Sequence, residues 1–312
     1  MSKIEYSVYT HIGNVRENNE DNFYCPGVVI EMRQESFSTS GKAEFPCVFA
    51  VCDGMGGQDF GELASFEATN VLSELDAAVK IEPSDKINEM VQYYVEKANN
   101  IICERVREKS TRLGTTLALV VVADNEVRPF NLGDSRIYEL TGGKLNQITE
   151  DHTLAEQKVK MGFLTREQAK TDKGRHKLSR FLGMFEEEMT MVAEPLPALP
   201  LINNRILLCS DGLTEMVEDE KIEEILTNAP IEQAAEMLVS EALAGGGIDN
   251  VTCIVLEYAH SKRHSSKLVV ALASFIAIAI IVLVVALIFR SVGAPYYYRA
   301  DVGNLFSMFL WK

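Results

Sequence analysis

The stretch that decides the fold runs from residue 115 to residue 149 and reads TTLALVVVADNEVRPFNLGDSRIYELTGGKLNQIT. It contains the β-rich runs TTLALVVVA, EVRPFNL, RIYEL and KLNQIT, which are separated by the turn sequences DN, GD and TGG. Short apolar runs between Gly, Asp and Asn turns are typical of antiparallel strands with tight connections. The stretch therefore predicts an antiparallel meander.

Blocks of strands and helices surround this meander. Ser84 is a plausible N-cap for one of the helices, and Gly162 marks the end of another. Blocks of strands broken by helical pairs favour α+β packing over alternating βαβ units. The segments are, in chain order, residues 3–12 and 45–52 (strands), about 61–79 and 84–109 (amphipathic helices), 152–185 (polar and helical), RILLCS (strand), 219–244 (two helices) and NVTCIVLEY (strand). We predict an antiparallel β-sandwich flanked by pairs of α-helices, in four layers α-β-β-α, plus one C-terminal transmembrane helix.

The transmembrane prediction rests on residues 268–289, LVVALASFIAIAIIVLVVALIF, which contain no charge, proline or glycine. As a helix the run would be about 33 Å long, which matches a hydrocarbon core of about 30 Å. A buried core helix is the alternative, but such helices carry a polar stripe, and here only Ser274 interrupts the apolar surface.

The chain then divides into a domain at residues 1–260, a juxtamembrane linker at 261–267, the span at 268–289 and a short tail at 290–312. Three basic residues flank the span on each side, so the charge count does not orient it. The N-terminus lacks an apolar signal core, and the six cysteines form no CxxC pair. We therefore expect a single-pass protein of the cell membrane whose large domain is cytoplasmic.

Charge excludes one class of partner. The chain has 45 acidic and 30 basic residues, for a net charge of -15. Nucleic-acid binding requires a concentrated Lys/Arg face, and no such face is visible in the sequence. We expect no nucleic-acid partner.

Acidic residues recur beside glycine or asparagine. They occur in NNED, VCDGMGG, LGDSR, CSDGL and GGGIDN, and Asp53, Asp211 and Asp249 lie at an end of an apolar β-like run. Each Asp-Gly taken alone is more often a turn than a ligand. Several strand ends can converge on one point, however, and an Asp-rich, His-poor cluster selects hard cations such as Mg²⁺ or Mn²⁺.

The series R-x-x-N-E-D, D-G-M-G-G-x-x-x-G-E-x-A-S, G-T-T, G-D-S-R-I-Y, D-H-T, D-G-L and D-N-V-T resembles the successive motifs of the type 2C (PPM) metal-dependent protein phosphatases, especially the bacterial branch. The match runs from about Gly13 to Val255. The resemblance implies a protein serine/threonine phosphatase in which a water bridging two Mn²⁺ or Mg²⁺ ions attacks the phosphorus of phosphoserine or phosphothreonine.

The resemblance also implies metal ligands. Asp53 would bridge the two ions, and the carbonyl of Gly54 would complete the shell of the second ion. Asp211 and Asp249 would hold the first ion. Asp134, with Asp211, would hold a third, weaker ion.

Three further residues receive roles in the same way. Glu20 and Asp21 would orient metal-bound waters from outside the coordination shell. Arg16 would bind the substrate phosphate, for which a planar guanidinium is suited.

The general acid is a departure from the family pattern. Relatives carry a histidine at one of two positions, and these positions hold Met55 and Gln58 here. Neither side chain can donate a proton as an acid, so we expect a metal-bound water to serve instead. His152 is expected to be structural, and His11 and His176 receive no role.

Partners follow from the same resemblance. Residues of about 155–185 correspond to a flap beside the active site, and a cationic cluster there either contacts phosphorylated proteins or is a solvated helix face. The cluster consists of Lys173, Arg175, His176, Lys177 and Arg180. We expect phosphorylated proteins, membrane lipid and a membrane serine/threonine kinase as partners.

Two rival functions remain open at this level. A membrane-tethered pseudophosphatase would bind phosphoproteins without hydrolysing them. A receptor-like protein would need an outer sensor domain, and the tail at residues 290–312 is too short for one.

Overall fold

Two antiparallel sheets form the framework of the protein. The computed structural model describes residues 3–32, 36–56, 60–193, 195–202 and 204–258. In spatial order the first sheet consists of β3 (Phe37–Glu44), β1 (Lys3–His11), β12 (Val251–Tyr258), β11 (Asn204–Cys209), β8 (Arg136–Thr141) and β9 (Lys144–Gln147). The second consists of β10 (Leu199–Pro200), β7 (Glu126–Leu132), β6 (Leu117–Ala123), β4 (Cys47–Gly56) and β2 (Asp21–Tyr24), and β5 (Leu113–Thr115) pairs with β4.

Helices cover the outer face of each sheet. The α-helices of the described residues are α1 (Gly61–Ala78), α2 (Ile87–Lys109), α3 (Leu154–Lys160), α4 (Arg166–Ala169), α5 (Asp211–Thr214), α6 (Asp219–Asn228) and α7 (Ile231–Ala244). One buried cluster joins α1 and α2 to the second sheet, one fills the space between the sheets, and one joins α6 and α7 to the first sheet. The predicted α+β fold with two antiparallel sheets and flanking helices is confirmed.

Strand β11 shows why the sequence folds this way. Ile206 and Leu208 face the cluster between the sheets, whereas Leu207 and Cys209 face the helices. Successive side chains of a strand point to opposite faces, so a strand covered on both sides is apolar at every position. All four of these residues are fully buried.

The predicted single meander is wrong. Strands β6 and β7 pair in the second sheet, and β8 and β9 pair in the first, so the chain crosses between sheets at residues 133–135. Gly133 makes this corner with a φ of +103°, and a Cβ there would lie 2.5 Å from Thr116 Cγ2. Turn residues mark a corner but do not specify which sheet the next strand joins.

Other boundaries also differ from the predictions. Ser84 does not cap α2, since it begins a short 3₁₀ turn, Ser84–Lys86, and α2 starts at Ile87. Strand β4 does not end at Asp53, because β5 pairs with its continuation as far as Gly56. Strands β2 and β3 have no counterpart among the predicted segments, and between residues 152 and 185 only α3 and α4 are α-helical.

No helix among the described residues is both long and apolar enough to cross a membrane. The predicted linker, span and tail at residues 261–312 lie outside the described residues, as does Gln58.

Candidate metal centre

The centre is built around Asp53 and Asp21, which lie directly opposite each other in the β2–β4 ladder. Directly paired residues place their side chains on the same face of the sheet. Burial and the neighbouring carboxylates of Asp21 and Asp211 raise the pKa of Asp53 well above its usual range. Two charged carboxyl groups this close on one face of a sheet repel each other strongly unless a cation lies between them.

Threonine side chains fix the backbone of Asp53. Its N–H donates to Thr116 Oγ1 at 2.9 Å, and its carbonyl accepts from Thr116 N and from Thr115 Oγ1, both at 2.9 Å. Thr116 Oγ1 is also hydrogen-bonded to Ser135 Oγ at 2.6 Å. The G-T-T and G-D-S motifs therefore meet behind Asp53, where their hydroxyl groups have a supporting role that the sequence did not indicate.

Gly54 allows the neighbouring backbone to approach. Its N–H donates to the carbonyl of Glu20 at 3.1 Å. A Cβ at Gly54 would lie 2.1 Å from the carbonyl oxygen of Gly61 and 2.5 Å from that of Glu20, so any side chain would push these segments apart. The position therefore requires glycine.

Glu20 lies at the N-terminus of α1. Its Oε1 accepts from the N–H of Gly61 at 3.2 Å, as expected for a carboxylate near the positive end of a helix dipole. Its own N–H donates to Asn250 Oδ1 at 2.8 Å. Burial raises the pKa of Glu20, although the hydrogen bond from Gly61 opposes this effect.

Asp21 is anchored through one oxygen. Oδ2 accepts from Ser210 Oγ at 2.7 Å, and Ser210 Oγ in turn accepts from the N–H of Thr252 at 2.9 Å. Its other oxygen, Oδ1, is buried and has no hydrogen-bond partner among the described residues. Burial raises the pKa of Asp21 to about 7. A buried carboxylate oxygen without a donor is suited to a cation or a cation-bound water.

Asp211 and Asp249 come from the neighbouring strands of the first sheet. Asp211 begins α5 just after β11, and Asp249 lies just before β12, which pairs with β11. The charge of Asp211 also acts on the carboxyl group of Asp53. Burial, followed by the charges of Glu215 and Asp249, raises the pKa of Asp211 to about 7.

Arg16 and Asp249 form an ion pair at the exposed side of the centre. Arg16 Nη2 donates to Asp249 Oδ2 at 2.6 Å, and about half of the arginine side chain is exposed. This hydrogen bond raises the pKa of Arg16. The guanidinium group also interacts with the charges of Glu20 and Asp53, so it lies beside the acidic cluster.

Asp134 reaches the same cluster from the crossing between the sheets. Burial and the charge of Asp211 raise its pKa well above the usual range. The turn before it is held by His152, whose Nδ1 accepts from the N–H of Gly133 at 3.1 Å and whose N–H donates to the Gly133 carbonyl at 2.9 Å. The structure thus brings all the predicted site residues into one region, and His152 contacts the turn next to it.

The structure also brings in a residue that received no role from the sequence. His176 Nδ1 lies 2.9 Å from Glu215 Oε1, and both side chains can approach the carboxylate of Asp211. Met55 is half-buried on β4, where it lies opposite Gly114 in the ladder with β5. Because 35 residues separate His176 from Asp211 along the chain, no local motif indicates their proximity.

A family model and several known proteins match this chain. The family model described as Protein phosphatase 2C matches residues 31–244. The serine/threonine protein phosphatase PstP of Mycobacterium tuberculosis is 33% identical over 256 residues, which are 81% of this chain and 45% of that protein. This chain thus spans about half the length of that relative.

Two further matches are covered by this chain over nearly their whole length. The serine/threonine phosphatase Stp of Listeria monocytogenes is 31% identical over 253 residues, which are 80% of this chain and 93% of that protein. A crystal structure of the catalytic domain of PstP in complex with two manganese ions superposes with a TM-score of 0.68 at 31% identity, covering 83% of this chain and 100% of that one.

Proposed function

The chain belongs to the protein phosphatase 2C family, and we propose that it hydrolyses phosphoserine and phosphothreonine in proteins at a two-cation centre. The predicted enzyme class, a metal-dependent protein serine/threonine phosphatase, is confirmed by the family model and the relatives. The predicted Mn²⁺ or Mg²⁺ cofactor agrees with the two manganese ions in the related catalytic domain. The ligands in this chain, its substrates and its location are our proposals.

One observation carries the proposal, namely the convergence of Asp21, Asp53, Asp134, Asp211 and Asp249. Burial and mutual repulsion raise the pKa of several of them, and Asp21 Oδ1 is buried without a donor among the described residues. Such a cluster is unfavourable unless positive charge neutralises it. An all-oxygen donor set fits hard divalent cations.

The proposed ligand roles are those that the family resemblance implies. Asp53 would bridge the two ions with the Gly54 carbonyl as a further ligand, and Asp211 and Asp249 would hold the first ion. Asp134, which interacts with Asp211, would contribute to a third, weaker site. When bound, the cations would lower the pKa of a shared water and neutralise charge on the transferring phosphoryl group.

Other side chains would act on water and substrate. Glu20 and Asp21 are fixed by hydrogen bonds from Gly61 and Ser210, so their remaining oxygens are oriented to accept from waters in the centre. Arg16 would bind the phosphate at the exposed side of the cluster, once a cation neutralises its present partner Asp249. Met55 cannot donate a proton, so water would protonate the side-chain oxygen of the leaving serine or threonine, which becomes the hydroxyl group of the product.

We also propose a membrane location, supported by the apolar run at residues 268–289. The large domain would be cytoplasmic, in agreement with its six buried cysteines, none of which forms a disulfide bond within the described residues. There it would meet phosphorylated proteins, membrane lipid and a membrane serine/threonine kinase. Protease treatment of intact cells or spheroplasts tests the topology, because cleavage of residues 1–260 from outside would contradict it.

The activity test uses the purified, metal-stripped full-length chain with p-nitrophenyl phosphate and a phosphothreonine peptide. We expect hydrolysis that depends on Mn²⁺ and is lost in Asp249→Asn. Asp124→Asn is the matched control, because Asp124 lies in the β6–β7 turn at a φ of 52°, which asparagine tolerates. Binding of Mn²⁺ without turnover would favour the pseudophosphatase instead.

A further inference from the structure

The C-terminal end of the flap, residues 181–184, packs against strand β5. The N–H of Leu182 donates to the carbonyl of Thr115 at 2.9 Å, and the N–H of Thr115 donates back to the carbonyl of Leu182 at 3.0 Å. Gly183 has a φ of +108°, and a Cβ there would lie 2.7 Å from the carbonyl oxygen of Leu113. The flap end and β5 are therefore in direct backbone contact, with no space for a side chain between them at this glycine.

Strand β5 in turn holds the backbone of two proposed metal ligands. Thr115 lies directly opposite Gly54 in the β4–β5 ladder, and its Oγ1 donates to the carbonyl of Asp53 at 2.9 Å. The carbonyl of Gly54 is itself a proposed ligand, and the carboxylate of Asp53 is carried by the same stretch of backbone. Metal sites require their donor atoms to be held within about 0.5 Å of the binding geometry. A shift of β5 would therefore weaken cation binding.

Asn99 on helix α2 fixes the flap end. Its Oδ1 accepts from the N–H of Gly183 at 2.7 Å, and its Nδ2 donates to the carbonyl of Met184 at 3.0 Å. The thiol of Cys103, one turn further along α2, donates to the same carbonyl at 3.4 Å. Asn99 is buried, and its amide offers both an acceptor and a donor. One side chain thus satisfies two successive residues of the flap end.

We propose that Asn99 is a positioning residue for the metal centre. It acts through the contact between Leu182 and Thr115 on the backbone of residues 53 and 54. The inference rests on the proposed function, because these two residues are metal ligands only under it. Without the Asn99 amide, the buried N–H of Gly183 loses its acceptor, which is unfavourable unless the flap end moves. Such a movement is passed directly to β5.

A second buried asparagine provides the matched control for a purely structural role. Asn204 Nδ2 donates to Glu139 Oε1 at 2.7 Å and to the carbonyl of Pro200 at 2.8 Å. Asn204 begins β11, whereas Asp211 follows the other end of that strand. Replacement of Asn99 or Asn204 by leucine removes two buried hydrogen bonds and keeps a branched side chain. Only the bonds of Asn99 adjoin the segment that holds the metal centre.

Calorimetric titration of the metal-free full-length chain with Mn²⁺, together with urea unfolding of the same proteins, tests the proposal. Asn99→Leu and Asn204→Leu should both unfold at lower urea concentration than the unmodified chain. Only Asn99→Leu should raise the Mn²⁺ dissociation constant, by at least about fivefold, since residues that orient ligands directly change metal affinity by about tenfold or more. Asn99→Asp keeps the acceptor for the N–H of Gly183, so its Mn²⁺ affinity should lie between those of Asn99→Leu and the unmodified chain.

The outcomes distinguish this inference from the proposed function. Unchanged Mn²⁺ affinity in Asn99→Leu would overturn the positioning role and leave the two-cation centre intact. Equal losses of affinity in Asn99→Leu and Asn204→Leu would also overturn it, because the loss would then follow general destabilisation. If Asn99→Leu does not fold, Asn99→Asp and Asn204→Asp replace the leucine variants in the same comparison. An unmodified chain that binds no Mn²⁺ would contradict the proposed function itself, and the positioning role with it.

Discussion

At the scale of single residues, the metal centre depends on neutral groups as much as on carboxylates. The hydroxyl group of Thr116 holds the backbone of Asp53, and the hydroxyl group of Ser210 holds the side chain of Asp21. The amide group of Asn250 holds the loop before β2. Each lies within a quoted motif, yet hydroxyl and amide side chains are too common in turns to be assigned from sequence.

Replacement of the proposed ligands tests the assignment directly. Asp53→Ala, Asp211→Ala or Asp249→Ala should each lower Mn²⁺-dependent hydrolysis by at least about a thousandfold, because each loses cation binding worth several kcal/mol of transition-state stabilisation. Asp134→Ala should lower turnover while Mn²⁺ still binds at the two-ion centre. Mn²⁺ titrations followed by activity and by calorimetry measure both effects, and full activity of Asp211→Ala would refute the ligand set.

Thr116→Val tests the support behind Asp53. The substitution keeps the shape but leaves the N–H of Asp53 and the hydroxyl of Ser135 without this partner, which should cost about 1–3 kcal/mol of unfolding free energy. The Mn²⁺ concentration for half-maximal activity should also rise. Thr116→Ser retains the hydroxyl group and should restore most of the metal affinity, and equal defects in the two variants would argue against a positioning role.

At the scale of elements, the crossing between β7 and β8 determines where Asp134 lies. The sequence correctly predicted the strand-rich runs and the turns between them. It did not reveal that β7 and β8 join different sheets, since partner choice depends on burial against residues far along the chain. Strand β2 was also missed, because its four residues follow a turn-rich segment and their pairing with β4 is long-range.

Gly133→Ala tests this crossing. A Cβ would lie 2.5 Å from Thr116 Cγ2 at a φ of +103°, so the corner must shift and Asp134 with it. Gly142→Ala is the matched control, because Gly142 also has a positive φ, of +59°, but nothing lies within 4 Å of its Cβ position. The control should cost about 1–2 kcal/mol of stability without loss of activity. Gly133→Ala should cost more and lower turnover, as measured by denaturant unfolding and initial rates.

At the scale of the whole molecule, the carboxyl groups of the centre make the free energy of unfolding depend on pH and on bound metal. The pKa values of Asp21 and Asp211 are raised to about 7 in the folded, metal-free chain, against about 3.9 in an unfolded chain. Between about pH 4 and about pH 7 the folded state therefore binds more protons than the unfolded state. The stability that these two groups contribute is lost as the pH rises through this interval.

The metal-free protein should thus have a lower free energy of unfolding at pH 7.5 than at pH 5.5, and saturating Mn²⁺ should raise it most at the higher pH. Asp21→Asn should flatten the pH dependence, because it removes one of the raised groups. Urea unfolding with and without chelator at both pH values measures the effect. A metal-free chain that is more stable at pH 7.5 would contradict the burial of these carboxylates.

The sequence by itself determined the class of fold, the identity of the acidic residues and their suitability for hard cations, because apolar periodicity and Asp-Gly motifs are local properties. The tertiary structure alone decided the sheet to which each strand belongs, the hydroxyl and amide supports, and the approach of His176 to Asp211 and Glu215. Those features depend on pairings between residues that are distant along the chain. The burial of apolar side chains on both sheets selects these pairings.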